Sequence, residues 1–255
     1  MNFKITSALL IISVLFAACS RVYQPAIYHH DIAYQPKPTS FDTSKTANYI
    51  SAGLSGYSNY DLSDFLVSSQ FNLSRAHVFN NFNLAYGAFG IFGDYQNGTI
   101  NKGEANYFSD KFFGAVGGRA SANLFVTSGR ADIRYLGVEV AYSHEFGSYA
   151  GFRQSISTLP NYFVDNRTDL FTLGLTTEVI FHNRNDNNFQ HGIRGFLGTT
   201  LGHNVLNDTY YADNTATEKM FRSIFPKASY FIKFNNYFGT FEVGSEIFVR
   251  FGLKF

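Results

Sequence analysis

Cysteine is nearly absent from this 255-residue chain, in which Cys19 is the only thiol. A chain with one cysteine forms no internal disulfide, so the fold must be stabilised by other means. Neither sign of charge dominates, because 20 Lys and Arg residues stand against 19 Asp and Glu residues. This balance gives no indication of a polyanionic partner, and we expect no nucleic acid to be bound.

Tryptophan is missing and proline is scarce, whereas 29 Phe and 17 Tyr residues make the chain rich in side chains that favour β-strands. Long apolar runs are also missing after residue 18. The mean hydropathy of -0.10 is too low for a helical membrane protein. It is compatible with a transmembrane barrel, in which each strand is apolar on one face only.

The first eighteen residues have the three zones of a secretory signal: a short start with Lys4, an apolar stretch from residue 5 to 16, and the small pair Ala17 and Ala18. The apolar stretch is shorter than the roughly 20 residues of a spanning helix. The sequence Leu-Phe-Ala-Ala-Cys at residues 15–19 resembles the bacterial lipobox, although Phe16 fits it loosely. We therefore predict removal of residues 1–18 and acylation of Cys19 by chains such as palmitate. The alternative is an ordinary signal peptide followed by a chance cysteine.

Residues 19–46 are predicted to form a lipidated tether, because this stretch holds three of the five prolines and shows no sustained period. His29 and His30 suggest a metal site, but adjacent strand residues face opposite ways and no ligand pair stands nearby. A solvated linker without metal or cofactor is the favoured interpretation.

Alternation with a period of two begins after Thr46 and predicts a β-barrel domain over residues 47–255. The stretch from Thr240 to Phe255 is apolar on one face and carries charges and glycines on the other. We interpret it as one long strand. Its aromatic end, with Phe251 and Phe255, resembles the signal by which the barrel assembly machinery recognises outer-membrane barrels.

Eight further segments repeat the pattern, with strong alternation at residues 82–92, 136–146, 171–181 and 193–202. Weaker alternation is present at residues 50–57, 65–73, 112–126 and 224–234. Short polar breaks alternate with longer polar loops at residues 94–110, 148–167 and 206–218, as periplasmic turns and external loops do. Nine segments conflict with the even count of bacterial barrels. We expect eight to ten strands and an even number, with two segments belonging to one bent strand or a strand missed at residues 26–34 or near Met220.

The lipobox, the tether, the alternating strands and the terminal Phe together resemble the small outer-membrane β-barrel lipoproteins of the Bacteroidetes. The resemblance implies an antiparallel up-and-down transmembrane β-barrel in the bacterial outer membrane, anchored through Cys19 and in contact with outer-membrane lipids. It implies no assigned activity and no oligomeric state. Surface-directed lipoproteins of this type carry acidic residues after the cysteine, and residues 20–22 have none. The inner leaflet is therefore the expected place of the anchor.

Catalytic motifs are not recognisable in the sequence, and no enzyme activity is expected. Ser143, His144 and Glu145 suggest a hydrolytic set, but His144 points away from the other two on a strand. His182 with Glu178 is a second candidate and equally a structural pair. Two alternatives to a structural or loop-mediated envelope role remain: a lipid-modifying outer-membrane enzyme, and a soluble periplasmic β-sandwich lipoprotein that binds an apolar ligand.

Placing the apolar faces outward leaves charged side chains of both signs in the lumen. Because a barrel of about eight strands is just wide enough for side chains to fill, we expect these groups to pair and to close the channel. The predicted lumenal charge network consists of Arg119, Glu139, Glu145, Glu178, Arg194, Lys233, Glu242, Glu246 and Arg250.

Overall fold

The computed structural model describes residues 21–59, 64–97, 102–160, 162–183, 189–201 and 223–255. The predicted signal peptide, Cys19, the loop at 206–218 and the position of Met220 lie outside these ranges. In the described part of the chain, no helix has both the length and the apolar character needed to cross a membrane.

Ten antiparallel strands close into one barrel, in the order β10-β11-β12-β2-β3-β4-β5-β6-β8-β9, with β9 paired to β10. The expected even count within eight to ten strands is confirmed. The alternative of a two-sheet sandwich is wrong, because all ten strands belong to one closed sheet. The barrel strands are β2 (Thr46–Asn59), β3 (Asp64–Val78), β4 (Phe82–Gln96), β5 (Asp110–Ser128), β6 (Ala131–Phe146), β8 (Asp169–His182), β9 (Phe189–Thr200), β10 (Ile224–Phe234), β11 (Tyr237–Val243) and β12 (Ile247–Lys254).

The interpretation of residues 240–255 as one strand is wrong, because this stretch contains the end of β11, a turn and β12. Val243 is the partner of Ile247, and residues 244–246 form the turn between them. Because the turn has three residues, Val243 and Ile247 are four positions apart and lie on the same face. The alternation with a period of two therefore continues through the turn, and the sequence shows no break there. This division supplies the tenth strand. Residues 26–34 form a turn and irregular chain, not the missed strand.

The long connections all lie at one end of the barrel, which also carries the three-residue turn after Val243, whereas the opposite end has short turns only. Gly129 and Asn235 sit in two of the short turns with positive φ angles of 60° and 54°, a conformation that glycine and asparagine tolerate best. The long connection between β6 and β8 contains helix α1 (Ser148–Ile156) and strand β7 (Tyr162–Val164). Strand β1 (Arg21–Tyr23) pairs with β7 in a small parallel sheet. We call these two ends the short-turn end and the long-loop end.

The strand faces differ as the alternation predicts. Outward side chains are largely apolar and exposed, as Phe251, Val138 and Leu175 illustrate, whereas inward positions are buried and mostly polar. A bulge in β6 between Arg134 and Gly137 shifts the register against β8 and places two consecutive side chains, Tyr135 and Leu136, on the outside. The bulge therefore changes which residue parity faces the lumen.

Candidate functional site

The lumen of the barrel is occupied by the N-terminal segment of the same chain. Residues 25–39 are buried, apart from the half-buried His29, and the side chains of Ile27 and Tyr34 have no exposed surface. The prediction of a solvated linker is therefore wrong. The segment shows no alternation of polar and apolar residues, because its backbone bonds to charged side chains of the wall and not to a neighbouring strand. We call residues 24–45 the plug.

The plug runs through the lumen from the long-loop end to the short-turn end. Its successive residues contact residues of β6 in reverse sequence order, beginning near Phe146 and ending near Ala131. The Ile27 N–H donates to Glu145 at 3.2 Å, Ser143 donates to Asp31 at 3.2 Å, Arg134 donates to the Pro38 carbonyl at 2.9 Å, and the Ser40 N–H donates to Asp132 at 2.6 Å. This order fixes the direction of the plug.

Tyr34 is the centre of the contacts between plug and wall. Its backbone N–H donates to both carboxylate oxygens of Glu242, at 3.0 and 3.2 Å, and its phenol hydroxyl donates to Glu178. Its carbonyl oxygen accepts a hydrogen bond from Arg250. The guanidinium of Arg194 lies 5.9 Å from the centre of the tyrosine ring. One plug residue thus contacts four of the nine predicted lumenal charges.

Two pairs form within the predicted set of lumenal charges. Arg194 pairs with Glu139, and its Nη1 also donates to Ser229 at 3.3 Å. Arg250 pairs with Glu242 at 3.3 Å. Paired charges with further hydrogen bonds are the form in which buried ions are tolerated. These contacts link β9 to β6 and β10, and β12 to β11, inside the barrel.

The remaining predicted charges are also buried, but their partners are residues that the sequence did not reveal. Arg119 donates to the Ala33 carbonyl at 3.0 Å and to Asn72 at 2.8 Å, and it lies over the ring of Phe89. The other pairs are Glu145 with Arg153, Glu178 with Arg134 at 2.6 Å, Glu246 with Lys227 at 3.3 Å, and Lys233 with Asp42 at 2.9 Å.

The missed partners differ in how visible they were in the sequence. Lys227 and Lys233 are an even number of positions apart on β10 and therefore lie on the same face. The alternation in the sequence was thus enough to predict that Lys227 faces the lumen. Arg134 was hidden by the bulge, which reverses the parity of β6 on its two sides. Arg153 lies on α1 and Asp42 in the plug, and no pattern of strand residues could have found them.

Helix α1 and the sheet of β1 and β7 cover the long-loop end of the lumen. Arg153 on α1 is fully buried and donates to the carbonyls of Asp165 and Arg167 as well as to Glu145. Its neighbour Tyr149 stacks on Tyr95 with ring centres 4.3 Å apart. These contacts join a buried cluster of mainly aromatic and aliphatic residues that includes plug residues 26 and 27. The plug is therefore held where it enters the barrel.

The short-turn end is held by Asp42, which lies outside the strands. Burial disfavours its charged form, but Lys233 at 2.9 Å and the Thr39 N–H at 2.9 Å outweigh that effect. They hold the pKa of Asp42 at about 2, with a further contribution from Lys254 at 3.4 Å. The carboxylate thus fastens the plug to β10 and β12.

The two catalytic candidates do not form a relay. Ser143 and Glu145 face the lumen and bond to Asp31 and Arg153, whereas His144 lies on the outside with Asp169 at 2.9 Å. Glu178, the partner considered for His182, is bonded instead to Arg134 and Tyr34. The His182 ring packs on Phe41, with ring centres 4.1 Å apart.

The two adjacent histidines of the plug make separate contacts. The ring of His29 stacks on Phe225 with centres 3.8 Å apart, and His30 lies 3.9 Å from Glu246. Within the described ranges, no three His, Cys, Asp or Glu side chains are grouped as a metal site requires. A cavity of about 60 Å³ remains beside these residues at the long-loop end, lined partly by Tyr57 and Tyr95. It has room for a few water molecules.

Comparison with known proteins gives structural similarities only. No protein-family model and no curated protein sequence matches the chain. Neisserial surface protein A is 13% identical, with 83% of this chain and 98% of that chain covered at a TM-score of 0.35. The transport unit of the autotransporter AIDA-I from Escherichia coli is 9% identical, with coverages of 88% and 94% and a TM-score of 0.40. The NanC porin is 8% identical, with coverages of 82% and 98% and a TM-score of 0.36. Similarities of this size assign no family, and the function is inferred from the chain's own residues.

Proposed function

We propose that the chain is a bacterial outer-membrane β-barrel lipoprotein, acylated at Cys19 and closed by its own plug. Its role in the envelope is structural or mediated by its long loops, without catalysis. The observation that carries this proposal is the pairing of an apolar outer surface with a lumen filled by residues 25–39.

The outer surface supports the membrane location. In lipid, every backbone polar group must be bonded internally, and a closed barrel does this without free edges. Large apolar side chains point outward along all ten strands, including Leu54, Phe71 and Ile193, each more than half exposed. A water-soluble barrel would pay heavily in free energy for such a surface, whereas lipid tails solvate it.

The orientation follows from the lengths of the connections. Outer-membrane barrels have short periplasmic turns and longer external loops. The short-turn end, which carries both Thr46 and Lys254 as the outer limits of the barrel strands, is thus assigned to the periplasm. The expected partners are outer-membrane lipids on the apolar surface and, during biogenesis, the barrel assembly machinery at the C-terminal end of the chain, where Phe251 lies in β12 and Phe255 follows it.

The filled lumen supports a role other than transport of solutes. Wall charges bond to plug backbone groups, as Arg250 does to the Tyr34 carbonyl and Lys227 to the Ile32 carbonyl at 2.7 Å. A path for solutes requires these bonds to break. No contact in the described part of the chain favours the lipid-modifying alternative, because Ser143, Glu145 and Glu178 are each bonded to residues of the plug, α1 or the wall.

Three measurements on cells test the proposal. Metabolic labelling with an alkynyl fatty acid should mark the parent chain and leave Cys19→Ala unmarked. The Cys19→Ala chain should still fractionate with outer membranes and shift its electrophoretic mobility on heating, since the barrel does not depend on the anchor. An unlabelled parent chain would remove the lipoprotein assignment, and a Cys19→Ala chain found in the soluble periplasm would remove the transmembrane barrel.

A further inference from the structure

The two ends of the plug lie at opposite ends of the barrel. Before the plug, Val22 pairs with Phe163 of β7, within the long connection between β6 and β8. At its other end, the Lys45 carbonyl accepts a hydrogen bond at 2.7 Å from the N–H of Val78, the last residue of β3 before a short turn. Between these points the plug passes through the whole lumen.

We propose that the mature chain crosses the outer membrane inside its own barrel, so that its N-terminal end emerges on the cell surface. The proposal rests on the barrel orientation proposed above and adds to it the direction in which the plug runs. With the long loops outside, the stretch from Arg21 to Tyr23 lies on the external side and Lys45 on the periplasmic side.

Contacts at the long-loop end hold the plug there by more than one kind of bond. The Tyr149 hydroxyl of α1 donates to the Gln24 carbonyl at 3.1 Å, and the ring of Tyr23 packs edge-on against Phe152 with centres 5.5 Å apart. The Asp165 N–H donates to the Tyr23 carbonyl at 2.8 Å, which extends the pairing of β1 with β7. The stretch that joins the plug to β1 is thus part of the packed cover at the long-loop end of the barrel.

The position of the anchor follows from chain length. Cys19 precedes Arg21 by two residues, so their Cα atoms are at most about 7 Å apart. The hydrocarbon core of a bilayer is about 30 Å thick. An acyl group on Cys19 therefore reaches only the outer leaflet. In this proposal, the outer leaflet takes the place of the inner leaflet that the sequence led us to expect. No acidic export signal after the cysteine is then required, because the barrel itself carries the N-terminal end across.

Labelling of single cysteines in cells tests this topology. A membrane-impermeant maleimide is applied to intact cells and to cells with a permeabilised outer membrane, in a background that keeps Cys19. The two reference variants are Lys102→Cys in a long loop and Arg130→Cys in a short turn, and both positions are exposed. The two plug variants are Gln24→Cys and the exposed Ser44→Cys.

We expect Lys102→Cys and Gln24→Cys to react in intact cells, and Arg130→Cys and Ser44→Cys to react at least tenfold more after permeabilisation. Labelling of Gln24→Cys only after permeabilisation would overturn the threading while leaving the barrel in place. Reference variants that fail to show opposite sidedness would instead overturn the proposed outer-membrane orientation. The parent chain is the baseline, since acylated Cys19 has no free thiol.

A cross-link covers the case in which half-buried Gln24→Cys reacts slowly. Val22→Cys and Phe163→Cys are combined in the full chain and treated with a short bis-maleimide. Closing this loop should change the mobility of the heat-denatured chain. The matched control combines Val22→Cys with Arg130→Cys at the opposite end and should give no cross-link. Cross-linking of the control pair, or none in the Val22 and Phe163 pair, overturns the proposal whatever the labelling gives.

Discussion

The phenol hydroxyl of Tyr34 donates a hydrogen bond to Glu178 in the interior of the barrel, where both side chains are buried. The same carboxylate pairs with Arg134 at 2.6 Å. One residue of the plug is thus built into a charge pair of the wall. The plug and the barrel are expected to unfold together for this reason.

Removal of this hydroxyl should destabilise the whole barrel. Tyr34→Phe leaves one carboxylate oxygen of Glu178 without its partner, and an unsatisfied buried group costs about 1–3 kcal/mol. The midpoint of heat-induced unfolding, followed by electrophoretic mobility, should fall. Tyr237→Phe is the matched control, because that side chain faces outward and is 67% exposed. Equal midpoints for the two variants would show that Tyr34 is not part of the folding unit.

The pair of Arg194 and Glu139 should show strong coupling. Glu139→Gln or Arg194→Gln alone leaves an uncompensated buried charge, at a cost of about 3–5 kcal/mol, and the double variant should recover part of that loss. Urea unfolding in detergent gives the four free energies of the cycle. Arg75→Gln on the exposed outer face is the control. Single variants as stable as the parent would contradict a structural charge network.

Acid should loosen the short-turn end of the plug through Asp42. Its pKa of about 2 in the folded chain lies below the usual value of 3.8, so its stabilisation is complete above pH 4 and is lost as the pH falls through 2. The shift corresponds to about 2 kcal/mol. Asp42→Asn should remove this part of the pH dependence of unfolding, whereas Asp94→Asn, exposed on β4, should retain it. An unchanged acid profile in Asp42→Asn would refute the role of this carboxylate.

The role of the C-terminal aromatic residues as an assembly signal stays a prediction. Both are on the outer face, with Phe251 70% and Phe255 65% exposed, and the Phe255 N–H and carbonyl pair with Asn48 of β2 at 2.9 Å. Deleting Phe255, with or without Phe251→Ala, should lower the amount of heat-modifiable barrel without lowering acylation of Cys19. Parent levels of folded barrel in the truncated strain would argue against recognition through these rings.

Much of the wall could be predicted from the sequence, because each strand separates a lipid-facing side from a lumenal side and so repeats every two residues. The same rule placed all nine predicted charges inside, including Glu139 and Arg250. It failed where the period survives a change of strand, as in the three-residue turn after Val243. It also failed where a bulge reverses the parity, as at Arg134.

The plug could not be predicted by the same means. Its buried residues, such as Ile27 and Tyr34, are bonded to side chains more than a hundred positions away, and the backbone between them follows no strand partner. Prolines at 36 and 38 lack an N–H and therefore fit a chain that has no ladder to maintain. A pattern confined to neighbouring residues does not distinguish such a segment from a solvated linker.

Closure of the lumen by the plug is tested most directly by planar-bilayer recording of the purified full-length chain. We predict no conductance steps of the size that a porin gives in the same membrane. Replacing residues 26–39 by a Gly/Ser linker of equal length should create such steps in barrels that still shift on heating, because the linker lacks the buried side chains, such as those of Ile27 and Tyr34, that fill the lumen. Porin-sized steps from the parent chain would contradict the account.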